Sequence, residues 1–227
     1  MRTQLVTYDV YMALLDIEGS LVPVVQRALK LNSEIATTFV RLWRSKQMER
    51  AAISNSLGNN RTSFRECTAM ALDYCINRHE LVLSPDMRHD LIFAWDRMNP
   101  WAEADAAIAA VKAKGCKTAI LSNGDQGMLE AVALKFYPNA FDYIFSSETS
   151  GYYKPHPSVY DIPTIALGIC KEEMVHVAGS SNDVIGTISS GINCIWSNRH
   201  ADHLLDLVYP PTHEIQNLTG VADLIDM

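Results

Sequence analysis

An aspartate at position 9 stands near the end of a short apolar run over residues 5–10, "LVTYDV". A carboxylate is a weak nucleophile in water. In a desolvated site it can attack an activated carbon and form an ester, which divides one hard step into two. Taken alone, such an aspartate reads more readily as the cap of the turn that follows it. Polar residues recur in the same relation to later apolar runs: Ser122 and Asn123 follow "KTAIL", and "AGSSND" (178–183) follows "MVHV". Metal-ligating residues give no such pattern. Among the seven histidines (79, 89, 156, 176, 200, 203 and 213), His200 and His203 lie three apart without a third ligand and read as a solvated loop. The five cysteines (67, 75, 116, 170 and 194) are odd in number and form no C-x-x-C pair, which disfavours zinc sites and disulfide frameworks. Buried free thiols in a reducing cytoplasm are expected.

The elements that must position these residues follow from periodicity. The run over 5–10 reads as a buried strand. From about Val24 to Asn99 the pattern is helical. "SEIATTFVRLWRSKQMERAAIS" opens with Ser33 as N-cap and spaces Ala36, Val40 and Trp43 on one face. "SFRECTAMALDYCINRH" and "SPDMRHDLIFAWDRM" give two more helices, the second beginning at a Ser-Pro pair that suits a helix N-terminus. After "NPW" the two patterns alternate. "AEADAAIAAVKAKG" is a helix closed by Gly115, "DQGMLEAVALKFYP" a helix, and "HPSVYDIPTIALG" a helix interrupted at Pro163. Between and after them, "CKTAILS", "FDYIFSS", "MVHVAG" and "NCIWSN" are strands. Such alternation specifies an α/β fold, a Rossmann-like doubly wound parallel sheet with helices on both faces. Segments 1–15 and 100–227 would form this core domain, and 16–99 a helical cap domain inserted after the first strand. Ligands of such sheets sit at the carboxyl ends of the strands. Asp9, Ser122, Asn123 and the residues just after Val177 therefore share one crevice.

A chain of 227 residues with 48% hydrophobic content can fill the core this fold requires. Its formal net charge of -7 disfavours a nucleic-acid partner, since affinity for a phosphate backbone rests on clustered Lys and Arg. The one dense basic run, "RLWRSKQMER", interleaves Leu42, Trp43 and Met48 and reads as a half-buried helix. No apolar run has the length of a membrane span, and neither a membrane association nor a secretory signal is expected.

Six segments in order resemble the haloacid dehalogenase superfamily, and within it the type II (S)-2-haloacid dehalogenases. They are "YDVYMALLD", "LWRSKQME", "LSNG", "YKPHPSVY", "AGSSND" and "WSNR", and they span nearly the whole chain. The resemblance implies that Asp9 is the nucleophile and that Arg44 receives the departing halide. It implies that Ser122 and Asn123 bind the carboxylate of a small-molecule acid, and that Lys154 and Asp183 hold the hydrolytic water. Tyr11, Met48, Phe64, Tyr160 and Ser180 would complete the substrate pocket, with Gln47 beside them. Tyr11 stands where phosphatases of the superfamily carry a second aspartate to protonate a leaving oxygen; halide leaves without a proton. Ala178-Gly179 replaces the Gly-Asp of the Mg²⁺-binding members, which removes a ligand for a hard cation. The resemblance therefore implies a hydrolase of carbon–halide bonds with no metal and no cofactor, in the form of a homodimer.

The chain departs from the pattern close to the nucleophile. Met12-Ala13 replaces Gly-Thr, and Ala178 and Ser180 replace the Ser and Asn that hold water. Loss of the threonine hydroxyl removes a hydrogen bond to a charged group, about 1–3 kcal/mol, or roughly ten- to a hundredfold in rate. Met12 must reshape the floor of the site or project into the pocket. An enzyme with a changed substrate, a non-hydrolytic substitution, and a catalytically silent ligand-binding protein are the competing expectations; a metal-dependent phosphatase is a further one.

Overall fold

Strands buried on both faces read as near-continuous apolar runs, and the runs of this chain become β1 (Leu5–Tyr8), β2 (Lys117–Ser122), β3 (Tyr143–Ser146), β4 (Met174–Ala178) and β5 (Asn193–Ser197); a sixth strand, β6 (His213–Ile215), is short, polar and largely exposed and follows no such run. In the computed structural model, which describes residues 2–57 and 61–225, they form one six-stranded sheet in the order β3-β2-β1-β4-β5-β6. Every pairing is parallel. The central strand β1 is buried along its whole length. Strand order reverses beside it, because β2 and β3 extend one way and β4 to β6 the other. The crevice at the carboxyl ends of β1 and β4 is thus the switch point where such sheets bind ligands.

Among the described residues, four helices lie between β1 and the return of the chain to the sheet at Pro100: α1 (Ile17–Leu29), α2 (Ser33–Ser54), α3 (Phe64–Arg78) and α4 (Pro85–Ala94), the last followed by a 3₁₀ turn at Trp95–Arg97. Ala36, Val40 and Trp43 of α2 are fully buried, and the Trp43 indole donates to Thr68 O at 2.8 Å, fastening α2 to α3. The chain leaves the sheet and rejoins it side by side: Leu15 bridges Pro100, Asp16 N donates to Asn99 O at 3.0 Å, and Trp101 N to Leu14 O at 3.0 Å. The remaining helices, α5 (Ala104–Ala113), α6 (Gln126–Ala133), α7 (Pro157–Leu167) and α8 (Ser181–Ser189), alternate with the strands.

Local expectations fail at several ends. Helix α1 begins at Ile17, well ahead of Val24, because Asp16 accepts from Gly19 N at 2.8 Å and starts a turn that Pro23 does not break. The N-cap of α2 is Asn32, not Ser33; its side chain accepts from Ile35 N at 2.9 Å. Helix α7 runs unbroken through Pro163, which is buried. Cys170 is exposed, while Cys67, Cys75, Cys116 and Cys194 are buried.

Candidate active site

Asp9 continues the sheet ladder by donating its backbone N–H to Val177 O at 3.0 Å, and the chain then turns through one π-helical turn, Val10–Leu14. That turn presents Met12 N to Asp9 Oδ2 at 3.3 Å, while Ser122 Oγ donates to Asp9 Oδ1 at 3.0 Å. The carboxylate is therefore oriented at both oxygens even though Ala13 offers no hydroxyl. The turn also packs directly on the chain after β4. A Cβ at Gly179 would stand 2.3 Å from Ala13 N and 2.4 Å from Met12 C, so only glycine fits beneath the nucleophile.

A buried ion network lies behind Asp9. Lys154 Nζ stands 3.5 Å from Asp9 Oδ1 and 2.9 Å from Asp183 Oδ2. Burial by itself would raise the Asp183 carboxyl, but Lys154 and His176 beside it hold it well below the usual carboxylate range. The hydroxyl of Tyr160 donates to Asp183 Oδ1 at 2.7 Å, and burial followed by the neighbouring Asp183 charge pushes the phenol far up, so it remains a donor. The ammonium takes the space between two carboxylates that a divalent cation would need, and the donor set does not fit a hard metal. Among the described residues, no group of three or more His, Cys, Asp and Glu could hold a metal ion.

Asp9, Lys154 and Asp183 open on a cavity of about 360 Å³ whose walls also include Tyr11, Arg44, Met48, Asn123 and Ser180. The Asn123 carbonyl Oδ1 accepts from Lys154 N at 2.8 Å, leaving its Nδ2 donors for the cavity. Ser180 caps α8 through its hydroxyl. Ser122 instead spends its hydroxyl on Asp9, and Phe64 and Tyr160 are fully buried behind the wall. Arg44 projects from α2 into an aromatic enclosure, its guanidinium carbon 5.5 Å from the Tyr11 ring, 5.8 Å from Trp95 and 6.0 Å from Phe64. Its Nη1 donates to Gln47 Oε1 at 2.7 Å, and Gln47 is held in turn by Thr68, but its buried Nε has no partner among the described residues. Burial lowers its affinity for its proton, opposed by Asp9 and Tyr11. Met12 lines an adjoining cleft of about 950 Å³ that shares Tyr11, Arg44 and Ser45 with this cavity, and it is not among the residues that wall the cavity itself.

Four further residues build the site without having been singled out from the sequence. Asp125 accepts the backbone N–H groups of Phe64 and Arg65 at 2.8 and 2.9 Å, and the guanidinium of buried Arg61 at 2.7 Å. Arg61 also donates to Asn123 O at 3.0 Å. Asn55 pairs with the Tyr153 backbone at 2.8 and 3.0 Å, and together these bonds clamp the helical block over the sheet. His176 lies within β4 and contacts both Lys154 and Asp183. A lone histidine inside "MVHVA" was a visible signal; Arg61 carried none. His200 and His203 are exposed.

A family model described as haloacid dehalogenase-like hydrolase matches residues 12–191. The haloacetate dehalogenase H-2 of Moraxella sp. (strain B) is 28% identical over 99% of this chain and 98% of that protein. An (S)-2-haloacid dehalogenase of Pseudomonas putida is 28% identical over 96% of this chain and 94% of its own. The structure of an L-2-haloacid dehalogenase from Xanthobacter autotrophicus covers 98% of both chains with a TM-score of 0.88 at 23% identity, a likeness of fold.

Proposed function

Because the chain belongs to the haloacid dehalogenase-like hydrolase family, we propose that it hydrolyses short 2-haloacids through an ester on Asp9. The observation that carries this reading is the pairing, in one cavity, of an oriented carboxylate with a buried arginine whose Nε has no partner among the described residues. A buried unpaired donor is costly, and an anion entering the cavity satisfies it. Asp9 attacks the carbon bearing the halogen, its Oδ–C bond forming as the C–halide bond breaks. Arg44 receives the halide in its aromatic enclosure, where a permanent charge and low polarity favour an anion. Asn123 and Ser180 offer donors to the substrate carboxylate, Ser122 steadies the nucleophile, and Tyr11 and Met48 shape the pocket. Water held near Lys154 and Asp183 then attacks the ester carbonyl, giving a 2-hydroxy acid of inverted configuration. Lys154 supplies the positive charge between Asp9 and Asp183, so the sequence of steps calls for no metal.

We assign residues 16–99 to a cap over a core of 1–15 and 100–227, operating as a cytoplasmic homodimer. The test is halide release from (S)-2-chloropropanoate with Asp9→Asn as control. Release by the wild type and none by the variant supports the reading; no release from any short 2-haloacid at high enzyme concentration refutes it. A competing reading, a catalytically silent binding protein, is disfavoured by the open cavity beside Asp9, which Met12 does not line.

A further inference from the structure

The fully buried imidazole of His176 is faced from every packed element: by Thr7 and Asp9 from β1 and its end, by Lys154, by Tyr160 of α7 edge-on at 6.1 Å, by Asp183 of α8, and by Cys194, its register partner on β5. The Lys154 ammonium has three hydrogens and meets three acceptors, Asp183 Oδ2 at 2.9 Å, His176 Nε2 at 3.1 Å and Asp9 Oδ1 at 3.5 Å. That match leaves Nε2 as a lone pair and puts the proton on Nδ1, which donates to Thr7 Oγ1 at 2.8 Å. The threonine hydroxyl in turn has Val175 O at 3.4 Å as its acceptor. Yet His176 Nε2 also lies 2.9 Å from Asp183 Oδ2. Two acceptors so close are poised to share a proton that arrives on either one.

We propose that His176 is a positioning residue and the terminal proton acceptor of ester hydrolysis, acting through Asp183. The inference rests on the ester mechanism above. Water oxygen bonds to the ester carbonyl carbon of Asp9 as one of its O–H bonds breaks and the carbonyl π pair moves onto its oxygen. The released proton passes to Asp183 and from Oδ2 to His176 Nε2. The carbonyl then re-forms as the carbon–oxygen bond to the substrate breaks, and the departing alkoxide takes the remaining proton of the added hydroxyl. Asp9 returns as a carboxylate, and the imidazolium, donating to Asp183 and Thr7, holds the net proton until solvent removes it. Burial and then Lys154 push the His176 pKa down, so the ring is neutral and receptive at neutral pH. Asp183, held low by Lys154, is by contrast a poor place for a proton to rest.

The experiment follows halide release and intact protein mass by quenched flow with (S)-2-chloropropanoate, using the full chain and the variants His176→Gln and Thr7→Val. His176→Gln keeps hydrogen-bonding groups but cannot hold the proton. It should give a halide burst close to wild type, then hydrolysis slower by about a hundredfold or more, with the ester accumulating on Asp9. The acid limb of the hydrolysis pH profile should vanish. Thr7→Val keeps the imidazole and removes the acceptor of Nδ1–H; hydrolysis should slow by about tenfold and its acid limb move to lower pH. This second variant decides the matter if the first does not fold. Hydrolysis at the wild-type rate in either variant, or ester formation falling in parallel with it, overturns the role of His176 alone. A wild type that yields neither halide nor adduct overturns the dehalogenase reading and this inference with it.

Discussion

Replacing Gly179 by alanine should cripple the nucleophile without touching its chemistry. The new methyl group would stand 2.3 Å from Ala13 N and 2.4 Å from Met12 C, both backbone atoms. Carbon contacts relax near 3.5 Å, so the turn or the chain after β4 must move by about 1 Å. Overpacking of this kind costs about 1–3 kcal/mol, which for a chain of this size lowers Tm by about 2–12 °C. The turn that moves is the one whose Met12 N–H orients Asp9, and a misplacement of about 1 Å costs on the order of a hundredfold in rate. Thermal unfolding followed by circular dichroism, with halide release at saturating (S)-2-chloropropanoate, reads both effects. Gly127→Ala is the control, since its Cβ would meet nothing within 4 Å. If Gly179→Ala keeps the wild-type Tm and turns over within twofold of wild type, the chain after β4 and the π-turn are not fitted backbone to backbone.

Other perturbations follow from the same contacts. Asp125→Ala leaves Arg61 buried without its ionic partner and strips the acceptors of two α3 N–H groups; urea unfolding should show a loss of about 3–5 kcal/mol, partly restored in Asp125→Asn. Tyr160→Phe removes one donor from Asp183, worth about 1–3 kcal/mol at a charged group, and should slow ester hydrolysis more than ester formation in burst kinetics. The folded protein binds fewer protons at His176 than the unfolded chain does, because the folded pKa is lowered. Stability should thus fall as pH drops below about 6.5, by up to about 1.4 kcal/mol per unit, and urea titrations between pH 5 and 8 should show a shallower slope in His176→Gln.

Much of this architecture was legible because it is periodic. Strands ending at Tyr8, Ser122 and Ala178 announce themselves as apolar runs, and their alternation with helices dictates a parallel sheet and hence the crevice. What periodicity misses is decided by single side chains: Asp16 starting α1 across Pro23, or Asn32 displacing Ser33 as a cap. Lys154 and Arg44 became candidates only through family motifs, since neither has a local pattern that separates it from a solvated residue. The loss of threonine at position 13 looked more damaging in sequence than in three dimensions. Ser122 Oγ and Met12 N, distant in one case and a backbone group in the other, orient the carboxylate instead. His176 was readable as a polar residue inside a buried strand, but its partners come from β1, α8 and the segment before α7, and only the fold assembles them.

The claim on which everything else depends is that Asp9 forms the bond to carbon. A single turnover in H₂¹⁸O, with enzyme in excess over (S)-2-chloropropanoate, reports this directly through the masses of the product and of the Asp9 peptide. If Asp9 is the nucleophile, the 2-hydroxy acid leaves with an unlabelled oxygen taken from the carboxylate and Asp9 gains the ¹⁸O. If the label enters the product in that first turnover and Asp9 stays unlabelled, water attacks the carbon itself and the account is wrong.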